Sequence, residues 1–418
     1  MKHQYDVVVV GAGHGGAQAC IALRGAGHAG SILLIGKEPE LPYERPPLSK
    51  DYLAGRKPFD RMLIRPPRFW DDQDIETLLG ETVVTVDPDA KHVLTESGRA
   101  IAYGSLVWST GADPRRLSCT GHDLVGVHTM RHKADADRLA GELDAIARVV
   151  VIGGGYIGLE AAAVMRRLGK HVTLLEAADR VLARVAGQDI SSFYQDVHRQ
   201  EGVDIRLGVS MNCLRGENGR VTAVELADGN LIPCDCVIVG IGVTPTVGPL
   251  IDAGADHANG VRVDAHCRTS LPGIFAIGDC AEHRNRFASD TWMRLESVQN
   301  ATDMAATVAA AIVGQERPYA SVPRFWSDQY DLKLQTIGLS IGHDHAVVRG
   351  SPQARSFTVA YLRAGRLIAL DCVNNPKDFA QGRALVTAQS RMDVDALADP
   401  AHTLKDAVTS TAEQSLAT

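Results

Sequence analysis

The chain has 418 residues, 45% of them hydrophobic and 22% charged. At about 150 residues per domain, this length predicts two or three domains, and such a balance excludes a disordered, collagenous or coiled-coil protein. The net charge of −7 speaks against wrapping nucleic acid, which needs a basic surface.

The N-terminus, MKHQYDVVVVGAG, lacks the order of basic region, apolar run and small residues that marks a secretory signal. Val7–Val10 is too short to span a bilayer and runs straight into glycine, so it reads as a buried strand. No later stretch reaches 18 uninterrupted apolar residues. A soluble, cytoplasmic protein with no membrane partner is expected.

Two segments share one design. Tyr5–Val10 reads as a strand, followed by Gly11-Ala12-Gly13-His14-Gly15-Gly16, a helix from Ala17 to about Gly25, and a strand Ser31–Ile35. Arg148–Ile152 is again a strand, followed by Gly153-Gly154-Gly155-Tyr156-Ile157-Gly158, a helix from about Leu159 to Leu168, and a strand His171–Leu175. Each is a G-x-G-x-x-G turn between a β-branched strand and a helix. In that context the first glycine makes the turn, the second admits a pyrophosphate and the third lets helix and strand pack closely. The helix start then offers unpaired N–H groups to the phosphates. Two such units imply two dinucleotides, and a flavin enzyme reduced by a nicotinamide cofactor is the economical reading.

Between the copies the sequence predicts strands at Thr82–Val86, Lys91–Leu94 and Ser105–Trp108, the last leading into Ser109-Thr110-Gly111-Ala112. After the second copy come Gly202–Leu207, Val221–Leu226, Cys236–Val239 and a strand from Ile274 ending in Gly278-Asp279, then a helix from about Gln299 to Ile312. From about Val322 the pattern is hairpin-like, with strands Leu334–Leu339, Ala346–Val348, Phe357–Leu362 and Leu367–Asp371 and one or two terminal helices. The tail from Ser410 is expected to fray. Eight cysteines are scattered with no C-x-x-C and no second pair to complete a metal site, so no metal is expected and buried, reduced thiols are.

Tyr43-Glu44-Arg45-Pro46-Pro47-Leu48-Ser49-Lys50 closely resembles the RPPLSK loop of NADH-dependent ferredoxin reductases. The likeness spans nearly the whole chain. It includes Tyr156-Ile157-Gly158-Leu159-Glu160, Gly240–Pro245, Phe275–Cys280, Arg294–Ala301 and Phe325-Trp326-Ser327-Asp328-Gln329-Tyr330, and is closest to the putidaredoxin-reductase type that serves bacterial cytochrome P450 systems.

The resemblance implies an α/β fold with two Rossmann-like dinucleotide-binding domains, of the glutathione-reductase-like flavoprotein kind, plus a C-terminal α+β domain. The implied divisions are 1–113 with 247–321 for FAD, 114–246 for NAD and 322–418 covering the flavin. It implies that Asp279 bonds a ribityl hydroxyl of FAD, that Val83 meets the adenine and that Arg131 approaches the pyrophosphate. Arg45, Pro46, Val298 and Trp326 would line the flavin, with Gly11, Ala12, Gly13, Gly15, Gly16, Thr110 and Gly111 also against FAD. Lys50, paired with Glu160, would stand at the reactive edge of the ring. Gly153, Gly155, Tyr156, Ile157, Gly158, Glu160, Arg184 and Gly242 would hold NAD. Glu176 ends the second copy's second strand, where a carboxylate takes ribose hydroxyls and favours NADH over NADPH. In the first copy Lys37 stands where related reductases often have an acid, leaving the ribose to Glu38 or to backbone.

The expected activity carries electrons from NADH through non-covalent FAD to a transiently bound [2Fe–2S] ferredoxin. Gly36–Lys50 contains no cysteine, which sets the chain apart from relatives that use a redox thiol there. The expected terminal acceptor is a P450 monooxygenase. A Rieske dioxygenase or rubredoxin system, a small oxidant such as a quinone, or an NADH-sensing protein of the apoptosis-inducing-factor type are the alternatives. A monomer or weak dimer is expected.

Overall fold

A computed structural model describes residues 2–409, so the tail expected to fray from Ser410 lies outside the described residues. The chain folds into two compact units. One is made of Met1–Pro47, Gly55–Asp113 and Val243–Ser321, and the other of Leu48–Ala54, Pro114–Gly242 and Val322–Thr418.

The first unit is built on a seven-stranded sheet. Ile75–Leu79, Ile32–Gly36, Gln4–Val10 and Ala100–Trp108 lie side by side and parallel. The two central stretches, Val7–Val10 and Ile32–Ile35, read as unbroken Val, Ile and Leu because they are buried on both faces. Ala100–Trp108 forks. Its first residues pair antiparallel with His92–Thr95, which continues to Val83–Asp87, while its last three, Leu106–Trp108, pair parallel with Ile274–Ala276. The carboxyl ends of the parallel strands therefore bring Gly11, Ser109–Gly111 and Gly278-Asp279 to one edge, where open α/β sheets bind ligands. Helix His14–Gly25 buries Ala17, Ala19, Cys20 and Leu23 in this unit's core.

The second unit holds a five-stranded parallel sheet in the order Val203–Leu207, His171–Glu176, Arg148–Ile152, Cys236–Val239, Val127–His128. A three-stranded antiparallel ribbon, Met211–Leu226 with Leu231–Pro233, belongs to it. The C-terminal segment forms a five-stranded antiparallel sheet in the order Arg324–Gln329, Leu332–Gly338, Arg366–Val373, Ser356–Arg363, His345–Ser351. Helix Pro376–Ala388 packs on this sheet closely enough that a side chain at Gly382 would overlap Leu370.

Both glycine-loop helices begin earlier than their apolar pattern suggests, at His14 and Tyr156 rather than Ala17 and Leu159. The third glycine of each loop lies inside the first helical turn, and a sequence pattern reads glycine as loop. The strand Ile75–Leu79 went unread because its middle residues, Glu76 and Thr77, interrupt the apolar run.

Candidate functional site

In the first unit the chain leaves Gln4–Val10 through Gly11, whose φ of +107° suits only glycine. A methyl at Gly16 would overlap the Gly11 carbonyl oxygen, so the loop and the first helical turn touch backbone to backbone. A methyl at Gly13 would meet only the Arg45 guanidinium, at 3.8 Å. Gly13 is also the N-cap of helix His14–Gly25, and no side chain caps it. An uncapped helix start with open space above its glycine fits a diphosphate.

The second unit repeats this geometry. Gly153 has φ +105°, a methyl at Gly158 would overlap the Gly153 carbonyl oxygen, and one at Gly155 would meet nothing within 4 Å. Gly155 caps helix Tyr156–Arg167 without a side-chain bond. Ile157, on the first turn, is exposed.

The loops differ at the end of the following strand. Val10 pairs with Ile35 and Ile152 with Leu175, while Gly11 N–H donates to Ile35 O and Gly153 N–H to Leu175 O, both at 2.8 Å. The register therefore aligns Gly36, not Lys37, with Glu176. A methyl at Gly36 would come 2.6 Å from the Cβ of Ala12, so Ala12 leaves no room for a side chain there. In the second copy the facing residue is Gly154, and Glu176 fills the space. Its carboxylate accepts the N–H groups of Gly154 at 2.6 Å and Ala178 at 2.8 Å. Glu38 instead turns to its own loop, accepting from Tyr43 Oη at 2.5 Å and pairing with Arg45 Nη2 at 2.6 Å. Lys37 is exposed.

Other expected FAD residues of the first unit sit at the same strand ends. Thr110 Oγ1 donates to Thr246 O at 2.6 Å, and Gly111 has φ +70°. Half-buried Asp279 follows Gly278, whose φ is +74°. Val298, also half-buried, begins helix Val298–Ile312. Val83 is buried at the start of its strand, and Pro46 and Gly15 are half-buried and buried respectively. Arg131 and Trp326 belong to the second unit, both half-buried.

Lys50 and Glu160 come together in the second unit, Nζ to Oε1 at 3.0 Å. Asp328 Oδ2 is 3.8 Å from the same Nζ. The Glu160 side chain is 5% exposed, and burial pushes its carboxyl up, opposed by Lys50 and by hydroxyl donors from Ser327 at 2.7 Å and Ser49 at 3.1 Å. The pair is thus a desolvated charge pair, not a screened surface contact. Arg184 is exposed and near the space above Gly242, which has φ +98°. Arg180 is committed inward, donating to Ala183 O, Ala186 O and Ser191 Oγ, so it is no phosphate ligand. Sequence reasoning passed over Ser49, Ser327, Gln329 and His198 around Glu160, although three of them lie inside quoted motifs. Their signal was the buried side of an alternating strand, Ser327 and Gln329 flanking exposed Asp328.

All eight cysteines are unpaired and seven are buried. Burial pushes the thiols of Cys20 and Cys234 up to about 12 and that of Cys280 to about 11, so they stay protonated and unreactive. Among the described residues, no helix is long and apolar enough to cross a membrane.

Residues 5–305 match the family model described as pyridine nucleotide-disulphide oxidoreductase, and residues 324–408 match that described as reductase C-terminal. The chain is 57% identical over 406 residues to a ferredoxin–NAD(P)(+) reductase of Sphingomonas sp., covering 97% of this chain and 98% of the relative. It is 55% identical over 407 residues to the 5,5'-dehydrodivanillate O-demethylase ferredoxin reductase subunit of Sphingobium sp., with the same coverage. The solved covalent putidaredoxin reductase–putidaredoxin complex matches with a TM-score of 0.92 at 38% identity, over 97% of this chain and 98% of that one. With two dinucleotide loops on α/β sheets, no thiol pair and likeness along nearly its full length, the chain belongs to the pyridine nucleotide-disulphide oxidoreductase family, as an oxidoreductase of its ferredoxin-reductase branch.

Proposed function

We propose that this chain is an FAD-dependent NADH:ferredoxin oxidoreductase, passing electrons from NADH through non-covalently held FAD to a [2Fe–2S] ferredoxin. The observation that carries the reading is the duplicated, uncapped glycine loop, of which only the second copy is closed by a backbone-anchored carboxylate, Glu176. FAD, when bound, takes up the two electrons of NADH together and hands them on singly.

The residues divide the work. Gly11, Ala12, Gly13, Gly15 and Gly16 receive the FAD diphosphate, with Arg45 held over the loop by Glu38 and Tyr43. Asp279, Val83, Thr110, Gly111, Pro46, Val298, Arg131 and Trp326 keep the FAD contacts that the family resemblance implies. Gly153, Gly155, Tyr156, Ile157, Gly158, Arg184 and Gly242 hold NADH, and Glu176 accepts its ribose hydroxyls. Lys50 supplies positive charge at the flavin's reactive edge, and Glu160 orients it. We assign 1–113 with 247–321 to FAD, 114–246 to NAD and 322–418 to a covering domain. The protein acts in the cytoplasm as a monomer or weak dimer, in keeping with eight unpaired cysteines.

The ferredoxin serves an oxygenase, with a cytochrome P450 as the first reading. The relative from Sphingobium, named for an O-demethylase, favours as a second reading an O-demethylating oxygenase. Anaerobic titration tests the core of the scheme. The yellow protein should take up two electrons per flavin from NADH and discharge them to a [2Fe–2S] ferredoxin. Uptake of four electrons, or no discharge to any such ferredoxin, refutes it.

A further inference from the structure

The second unit contains a one-way file of hydrogen bonds that ends on Glu160. Helix Tyr156–Arg167 lies along strand Arg324–Gln329. Four helical residues rise about 6 Å and two strand residues about 6.8 Å, so i, i+4 on the helix faces i, i+2 on the strand. Tyr156 accordingly meets Phe325, ring centroids 4.3 Å apart, and Glu160 meets Ser327. Behind Ser327 the file continues. Gln329 Nε2 lies 3.1 Å from Ser327 Oγ, His198 Nε2 lies 2.8 Å from Gln329 Oε1, and Tyr330 Oη lies 3.1 Å from His198 Nδ1. Ser327, Gln329, His198 and Glu160 are all at most 4% exposed, so no solvent competes for the bonds among them.

Counting donors fixes the direction. A serine hydroxyl has one proton, and Ser327 can give it to Glu160 only if its other partner donates to it. Gln329 therefore presents N–H to Ser327 and its carbonyl to His198. The imidazole must then carry its proton on Nε2 and accept at Nδ1 from Tyr330. With the proton on Nδ1 instead, Gln329 would flip, Ser327 would turn its proton to the Gln329 carbonyl, and Glu160 would lose a donor. We infer that His198, Gln329 and Ser327 are positioning residues whose shared hydrogen-bond direction keeps the Glu160 carboxylate charged and aimed at Lys50. The inference rests on the reading that the Lys50–Glu160 pair serves the flavin, and it gives the Phe325–Tyr330 motif a task beyond the contact implied for Trp326.

The other carboxyls around the pair are Asp328 beside Lys50 and buried Asp371, which acts on Tyr156 and Tyr194. Lys50 faces Glu160, with Asp328 beyond it, and burial keeps the phenols of Tyr156 and Tyr194 protonated. The imidazole faces the phenol of Tyr330, whose own pKa burial raises. Burial holds His198 down to about 4, so it stays neutral across the working pH range.

The test titrates Glu160 directly, in FAD-free and FAD-loaded full-length protein, by the infrared carbonyl band of ¹³C-labelled glutamate that Glu160→Gln removes. Ser327→Ala and His198→Leu should each raise the Glu160 titration by about one to two units, the range a hydrogen bond to a charged group commands. His198→Gln, which restores an N–H toward Gln329, should return it toward the parent value. An unchanged titration in folded Ser327→Ala overturns the inference, and so does a His198→Gln that shifts as far as His198→Leu. If His198→Leu fails to fold, Ser327→Ala with Gln329→Glu, which draws the serine proton away from Glu160, decides alone. A shifted titration with an unmoved flavin spectrum and reduction rate supports the hydrogen-bond file and refutes instead the Lys50–Glu160 role at the flavin.

Discussion

The two glycine loops are near copies in backbone, but only the second faces a carboxylate. Each begins with a positive-φ glycine, places its third glycine against the first carbonyl and leaves its helix uncapped. What separates them is one pair of facing positions. Ala12 opposes Gly36 in the first loop, and Gly154 opposes Glu176 in the second. Only one member of each pair can carry a side chain, so a carboxylate at the strand end demands glycine in the loop. The backbone gives both loops a diphosphate site, while a single methyl group decides which can also hold an acid.

The largest expected effect breaks the copies apart. Gly16→Ala should yield protein that folds without FAD and is colourless, whereas Gly158→Ala should stay yellow and lose NADH binding. Absorbance of the purified proteins and titration with NADH check both. Loss of FAD from Gly158→Ala would show that the loops do not serve separate nucleotides.

Next comes the acid itself. Glu176→Ala should erode an NADH preference of about a hundredfold in kcat/KM, because a 2′-phosphate would no longer meet a like charge. Glu38→Ala, by contrast, should leave the preference untouched and weaken FAD retention by freeing Arg45. Comparable use of NADH and NADPH by the unmodified enzyme would refute the assignment.

A smaller effect sharpens the facing-pair argument. Gly154→Ala places a methyl 3.0 Å from Glu176 Oε2 and from Val181 Cγ1. Displacing the carboxylate from its two N–H donors should narrow the nucleotide preference by about tenfold. ADP-ribose and its 2′-phosphate, compared by calorimetry, give a measure free of turnover. Equal affinities before and after the change would break the argument.

A further test compares the units in acid. Each buries a histidine, His283 in the first and His198 in the second, and burial lowers each to about 4 from an ordinary 6.5. The unfolded chain binds these protons and the native one does not, so stability is full above pH 6.5 and falls as pH drops toward 4. Each site can withdraw on the order of 3 kcal/mol. Melting curves should show His198→Gln and His283→Gln each flattening that decline, and a slope unchanged by both would exclude these residues as its source.

Much of this was legible in the sequence. Both βαβ units announce themselves through β-branched strands and glycine spacing, and Lys50 and Glu160 through family motifs that the structure sets 3.0 Å apart. That Gly36 is the register partner of Glu176 is set by the sheet's hydrogen bonds and not by residue spacing. The Glu38–Arg45–Tyr43 cluster stayed hidden because which partner a carboxylate chooses within its reach is decided by packing. The surroundings of Glu160 were least visible. Ser49, His198 and Ser327 are far apart in sequence and meet only through tertiary contacts, which no local pattern encodes.

The forked strand Ala100–Trp108 has a consequence for synthesis. Its partner Gln4–Val10 is already made when it emerges, but Ile274–Ala276 is not. The parallel sheet from Val127 to Val239 comes from one continuous stretch and can assemble in the interval. Until residue 276 clears the ribosome, Leu106-Val107-Trp108 waits as a bare apolar edge, open to pairing with another nascent chain.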